Sequence, residues 1–347
     1  MIAVVKANAY GHGAVAAARA FAAGGVHGFA VFRAEEAQEL RAGGILHPVL
    51  TLGPLPPRGA AALLDAGAIP SVYSVESARA LGAEARRRGE GIPCHLKVDT
   101  GIGRLGIPIA DLPAFLVTLA TLDGLRLAGM FTHLACADDP DHPLTASQLA
   151  AFQEAVAQVR AAGHTPDQIH LANSAASLRG LAPEIDTLRA GLAFYGYSPA
   201  PAVIAAAALR PALALRAVIE QVKEVAAGDT LGYGATWAAP RRARIASIGC
   251  GYAEGYRREL SNRGEVLVQG RRFPVVGRVS MNLITVDVTD DPSIVPGVVA
   301  TLMGEDGPER VDAWELAERA GTIAWDILCG VDRRLPRLLT RGGSIVP

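Results

Sequence analysis

"MIAVVKANAYGHGAVAAARAFAAGGVHGFAVFRAEEAQELRA" (Met1–Ala42) sets the pattern on which the fold reading rests. Ile2–Val5 is a short β-branched run, Gly28–Phe32 is a second, and Ala34–Ala42 has the composition and period of a helix. The alternation continues with apolar runs at Val49–Leu52, Ile69–Tyr73, Cys94–Val98, Leu125–Phe131, Gln168–Leu171 and Ile185–Leu188. Most are separated by Ala/Glu/Arg-rich segments such as 74–88, where Ser74 or Ser77 reads as a helix start and Gly89 as a stop. Strand–helix alternation implies a parallel sheet with helices on its faces. Eight candidate strands before Arg189 predict an α/β fold of the (β/α)8 TIM-barrel type. A doubly wound sheet is the alternative, because periodicity alone does not close a barrel.

After Tyr195 the pattern changes. Pro199–Pro211 reads as a linker with an Ala-rich turn or helix. Strand-like runs with turn punctuation follow at Ala214–Val222, Arg244–Ile248, Val266–Val268, Arg272–Val276, Leu283–Val288 and Val298–Met303, and helix returns at Val311–Ala320. The expected organisation is a barrel domain over 1–200 and a C-terminal, mostly-β domain over 210–347.

The 347 residues are half hydrophobic and carry a net charge of −1, which favours neither nucleic acid nor an anionic membrane as partner. Cys94, Cys136, Cys250 and Cys329 have no paired spacing, which argues against a zinc site or a disulfide framework and suits a reducing cytoplasm. The start has no basic leader segment, and no apolar run is long enough to span a bilayer.

Catalytic groups of a barrel sit where strands end. Lys6 follows the first run, Lys97 lies near the end of the fifth, His133 follows the sixth, Asn173-Ser174 the seventh and Arg189-Ala190-Gly191 the eighth. Each has a plain structural reading: a solvated lysine, a satisfied core histidine, a surface ion-pair arginine, a turn glycine. Their convergence on one rim is what argues for a site. The loops after strands seven and eight often bind phosphate, and Ser174 with the Gly191–Leu192 backbone supplies donors there. A strand-end lysine with a phosphate cradle at the barrel's opposite rim suggests pyridoxal phosphate. Arg189 facing the ring nitrogen could not give up its proton, so the ring would be a weakened electron sink, suited to removing and returning one α-proton.

"VVKANAYGHG" (Val4–Gly13), "LKVDTGIGRLG" (Leu96–Gly106), "FTHLACAD" (Phe131–Asp138), "ANSAA" (Ala172–Ala176), "RAGLAFYG" (Arg189–Gly196), "GYGATW" (Gly232–Trp237) and "GRVSM" (Gly277–Met281) together resemble the alanine racemase family, in its order and over nearly the whole chain. The resemblance implies a pyridoxal 5'-phosphate aldimine on Lys6 and a two-base interconversion of L- and D-alanine. Lys6 would be the base on one face, and Tyr233 from the second subunit of a homodimer the base on the other. Tyr10, Ser174, Gly191 and Leu192 would hold the phosphate, Arg189 would face the pyridine nitrogen, and His133 would link Arg189 to Tyr233. Arg104 would contact the cofactor's phenolic oxygen and the substrate carboxylate, which the Met281 backbone N–H would also meet. Lys97 aligns with a lysine often carbamylated in the family, making it an anionic partner for Arg104. A cationic network behind Tyr233 would lower a phenol pKa otherwise near 10. The implied role is D-alanine supply for peptidoglycan.

Three departures stand out. Trp325 occupies the place of a family tyrosine whose hydroxyl reaches the phosphate, and an indole can only donate. Asn282 stands where an aspartate is common. Relatives carry a strand and a helix before the lysine strand, so a shortened start is expected, with apolar barrel surface uncovered, several kcal/mol of burial lost and poor solubility or weak activity. The alternatives in function are a racemase of broader range, a decarboxylase of the same architecture, which Arg189 suits poorly, and a non-catalytic cofactor-binding protein, which has no use for Tyr233.

Overall fold

The computed structural model describes residues 1–345 except 57, 186, 201–202, 204–208 and 342–343. Most of the Ala-rich part of the expected linker therefore lies outside the described residues. The chain divides into two units, Met1–Ala9 with Ala14–Arg210, and Tyr10–Gly13 with Pro211–Pro347.

In the first unit the parallel strands run β1 (Ile2–Val4), β2 (Gly28–Val31), β3 (Val49–Thr51), β4 (Ala68–Ile69, resumed after Pro70 as Ser71–Val72), β5 (Ile92–Asp99), β6 (Leu125–Phe131), β7 (Gln168–His170) and β8 (Arg189–Ala190). Each pairs with the next through β7, and β8 pairs with β1 in the register Ile2 opposite Arg189. A bridge between His170 and Thr187 joins the last two positions, so the sheet closes on itself as a barrel. Pro70 splits β4 because it has no N–H to donate, yet its carbonyl still accepts the His95 N–H at 2.9 Å.

The eighth strand is displaced from its expected place. Ile185–Leu188 was the apolar run, but Asp186 lies outside the described residues, Ile185 is not in a strand, and the strand is Arg189–Ala190. An arginine could enter a barrel strand only because its donors are satisfied inside, and Arg189 is buried at 3% exposure.

Helices cover the outside of the strands: α1 (Ala14–Ala23), α2 (Ala34–Ala42), α3 (Ala60–Asp65), α4 (Val75–Arg88), α5 (Leu112–Ala120), α6 (Leu144–Ala161) and α7 (Ser174–Leu178). Ser74 caps α4 by accepting the Ser77 N–H at 3.1 Å, so Ser77 sits inside the first turn; Gly89 ends the helix in the left-handed region. Ala78, Leu81 and Ala85 form its buried stripe, as Phe152, Ala155 and Val159 do on α6.

The second unit is built on an antiparallel sheet of β9 (Leu215–Val225), β10 (Ala243–Ile248), β11 (Glu265–Val268), β12 (Arg271–Pro274), β13 (Ile284–Asp287), β14 (Val299–Asp306) and β15 (Glu309–Val311). The order is β12-β11-β14-β9-β10-β13, with β15 on β14. All six expected runs fall on strands. The polar β15 and a small ribbon, Thr230–Leu231 against Trp237–Ala238, carried no alternating apolar signal and were not anticipated. α8 (Ala313–Ala320) is capped by Asp312, whose side chain accepts the Trp314 and Glu315 N–H groups, and α9 (Ala324–Gly330) follows.

Candidate active site

Lys6 leaves β1 into a turn of the wrong hand for L-residues. Ala7, Asn8, Ala9 and Tyr10 all have φ between 52° and 54°. The left-handed helical region costs roughly 1–2 kcal/mol per non-glycine residue and is normally visited singly. A run of four persists only when the surroundings over-determine it, and such strain gathers at functional sites. Three contacts hold this one. Ala9 N–H donates to the Val5 carbonyl at 2.9 Å. The Asn8 side chain accepts the Ala14 N–H at 2.9 Å, tying the turn to the start of α1. Glu36 accepts the Ala7 N–H at 2.6 Å. Lys6 is half-buried, with its Nζ 5.9 Å from the Phe32 ring centre.

Inside the barrel, His95 and Lys97 share one face of β5, two residues apart. That face carries a buried polar chain. Arg189 Nη1 lies 2.7 Å from His170 Nδ1, and His170 Nε2 lies 2.9 Å from His95 Nδ1. Arg189 Nη2 donates to the Thr132 carbonyl at 2.9 Å and to His133 Nδ1 at 3.1 Å. A guanidinium only donates, so both histidine Nδ1 atoms facing it hold lone pairs. His170 must then carry its proton on Nε2 and pass the same polarity to His95. Phe131 stacks on His170 at 4.8 Å and 7°, and its ring also faces Arg189 at 5.1 Å.

Burial, reinforced by charge, explains the protonation. Burial first, then the Arg189 cation, lowers His170 and His133 well below the ordinary histidine value and His95 to about 4. Burial, then Arg189, Arg104 and Lys6, pulls Lys97 down to about 8, opposed by Asp99. The Asp99 carboxylate meanwhile accepts the Gly101 and Gly103 N–H groups at 2.9 and 3.1 Å, shaping the loop that carries the exposed Arg104. Four cationic side chains, Lys6, Lys97, Arg104 and Arg189, thus face two carboxylates, Asp99 and Glu36, which leaves an excess of positive charge suited to an anionic ligand.

The loop after β8 supplies a second cradle. Ser174 Oγ accepts the Gly191 N–H at 2.9 Å and the Ala193 N–H at 3.2 Å, which leaves its O–H to donate. Ser174 is buried, and Leu192 is fully so.

Tyr10 and the glycines after it belong to the second unit. Tyr10 is buried, its carbonyl accepts from His12 Nδ1 at 2.8 Å, and the Gly11 carbonyl accepts from Arg337 at 2.8 Å. A Cβ on Gly11 would fall 2.1 Å from the Leu328 carbonyl oxygen, at a φ of +80°, so only glycine fits. Tyr233 lies in the connection of the small ribbon between Gly232 and Gly234, both at positive φ, and is 71% exposed, which rules out a packed turn aromatic in this chain. Met281 is exposed, and its carbonyl accepts the Ala253 N–H at 2.9 Å. Asn282 donates to Glu254 at 2.7 Å, a contact an aspartate could not make. Trp325 packs edge-on to Trp314, ring centres 5.8 Å apart.

Sequence reading missed His95, His170, Glu36 and Gln148. Gln148 on α6 is fully buried; it donates to the His133 carbonyl at 3.1 Å and to Thr100 at 3.2 Å, and accepts the Ala135 N–H at 2.8 Å. The period-two alternation of β5 was the one available signal, since it puts His95 on the face of Lys97.

The description "Alanine racemase, N-terminal domain" matches residues 1–199, and "Alanine racemase, C-terminal domain" residues 212–339. The chain is 43% identical to the alanine racemase of Symbiobacterium thermophilum over 97% of its own length and 89% of that protein's. Alanine racemase from Bacillus anthracis with bound L-Ala-P superimposes with a TM-score of 0.94 at 34% identity, over 100% of this chain and 89% of that one. The enzyme from Bartonella henselae with covalently bound pyridoxal phosphate does so at 0.85 and 29%, over 96% and 90%. Likeness of sequence and fold across both domains thus coincides with a cationic barrel rim built around a strand-end lysine: the chain belongs to the alanine racemase family of isomerases.

Proposed function

We propose that this chain interconverts L- and D-alanine with pyridoxal 5'-phosphate as cofactor. The observation that carries the reading is Lys6 delivered to a rim where Arg189 is held by two imidazole acceptors. The residues present fit the cofactor. Lys6 offers a primary amine for its aldehyde. The Ser174 O–H and the backbone around Leu192 offer donors for its phosphate, the Gly191 N–H being given to Ser174 Oγ, and Tyr10 would add its hydroxyl. Arg189 offers a donor that cannot lose its proton to the ring nitrogen. The bound cofactor supplies the electron sink that acidifies the α-carbon of an amino acid.

Arg104 and the Met281 N–H would orient the substrate carboxylate. Lys6 would take or return the α-proton on one face and Tyr233, from the second subunit of a homodimer, on the other. The tautomer imposed on His133 leaves its Nε2–H as a donor, and a donor to the Tyr233 oxygen favours the phenolate. Lys97 is the candidate for carbamylation: a pKa lowered to about 8 raises the share of neutral amine, which would add CO2, lose a proton and become an anionic partner for Arg104. Among the described residues no helix is long and apolar enough to cross a membrane. The proposed setting is the cytoplasm, with D-alanine directed to peptidoglycan.

The test is L-alanine in heavy water with the cofactor-loaded protein. Loss of optical rotation with deuterium at the α-carbon is expected, falling about 10²-fold or more in Lys6→Ala and Tyr233→Phe. Exchange with retained configuration would mean that one base works alone; no exchange would sink the reading.

A further inference from the structure

Glu36 sits in the first turn of α2, just after β2, and the reaction proposed above leaves it without a role. Its two oxygens face two different strand ends. Oε1 accepts the Ala7 N–H at 2.6 Å, the first amide after Lys6. Oε2 accepts the Phe32 N–H at 2.6 Å and the Arg33 N–H at 3.0 Å, at the end of β2. Phe32 is also the residue whose ring lies 5.9 Å from the Lys6 amine.

We propose that Glu36 is a positioning residue for Lys6, holding both the backbone that follows the lysine and the residue beside its amine. Ladder pairing of β1 with β2 runs out at the Val5 N–H, which donates to the Ala30 carbonyl at 2.9 Å. Beyond it the chain enters the left-handed turn, where no strand partner is in place for the Ala7 N–H. A carboxylate meets that need at short, charge-assisted distance. Three N–H donors converge on it, so both atoms at its tip must accept. Glutamine would present one oxygen and one NH2 group, and one strand end would lose its acceptor. Aspartate keeps both oxygens on a stem one methylene shorter and cannot span both ends.

A plain helix cap would use Oε2 alone, through the Arg33 N–H. The two roles separate at Ala7. The experiment compares Glu36→Gln and Glu36→Asp with the parent and with Glu35→Gln, an exposed neighbour outside the site. Hydrogen exchange at the Ala7 amide is read in cofactor-free and cofactor-loaded protein, and kcat and KM for alanine in the loaded one. Both Glu36 variants are expected to exchange Ala7 about ten-fold faster or more and to lose kcat by about ten-fold or more, because a displaced reacting group is penalised steeply. KM should stay within about two-fold, and Glu35→Gln should match the parent throughout. Parent-like Ala7 exchange in a folded Glu36 variant overturns the proposal, as does faster exchange with unchanged kcat. Should Glu36→Gln fail to fold, Glu36→Asp is read on the same measures; collapse of both also overturns it, since the fold would then be what Glu36 serves. The kcat arm rests on the racemase reading, whereas the exchange arm does not: an inactive parent would fail that reading and leave Ala7 exchange to decide this one.

Discussion

Nη1 of Arg189 lies 2.7 Å from Nδ1 of His170, and this one contact dictates the protonation of a buried imidazole chain reaching His95. The donor-only guanidinium holds the His170 Nδ1 lone pair, and His170 in turn donates through Nε2 to His95.

Ring-nitrogen NMR should therefore show His95, His133 and His170 neutral, protonated on Nε2, well below the pH at which free histidine titrates. The stability consequence follows in sign. Folded values lie below the unfolded one near 6.5, reaching about 4 for His95, so the neutral rings' contribution is fully present above about pH 6.5 and is lost as pH falls toward 4. Arg189→Gln removes the cation and should move the titration of His170 upward. A pH titration of the ring signals in that variant checks it, and an unchanged His170 would contradict the charge argument.

Gly129→Ala tests whether the chain is rigid. A Cβ there would sit 2.4 Å from His95 Cε1, and the ring is hemmed in by its bond to His170. A loss of about 1–3 kcal/mol is expected on overpacking grounds. His95→Ala in the same chain should recover part of it, and a double-mutant cycle by urea unfolding measures the coupling.

Lys97 should make stability rise with alkalinity. Its folded value, about 8, lies below the unfolded value near 10.4, so between them the unfolded chain binds the extra proton. Below about pH 8 the buried charge is a constant penalty, relieved as pH rises through that window. In CO2-depleted buffer Lys97→Met should be more stable than the parent at about pH 7, with a gap of order 1–3 kcal/mol closing by about pH 10. Adding bicarbonate should raise the parent's stability alone and its mass by one CO2.

Ser174→Ala removes the acceptor for the Gly191 and Ala193 N–H groups. A loss of about 1–3 kcal/mol is expected from orphaned buried donors, together with weaker pyridoxal phosphate binding. Ser174→Thr should restore both. Fluorescence titration with the cofactor checks this, and unchanged affinity in Ser174→Ala would mean that this loop does not hold the phosphate.

The barrel was legible because strand and helix periods differ and alternate; seven of its eight strands lie on the expected runs. The eighth was misread because an arginine looks like the end of a strand, and only its partners His170 and His133 let Arg189 lie within one. Lys6, His133 and Ser174 could be picked out at strand ends. His95 and His170 could not, because their meaning lies in a contact between residues 75 apart in the chain. Glu36 read as an ordinary acidic residue at a helix start, and its bond to Ala7 spans 29 residues.

The sequence by itself determined the order of the elements, the family and the chemical groups available, since these rest on local composition and short motifs. The tertiary structure alone decided which imidazole nitrogen holds a lone pair, how far Lys97 is drawn from its ordinary pKa and how a left-handed turn after Lys6 is held. The reason is physical: burial, charge and hydrogen-bond polarity depend on what stands within a few ångströms, and those neighbours come from distant parts of the chain.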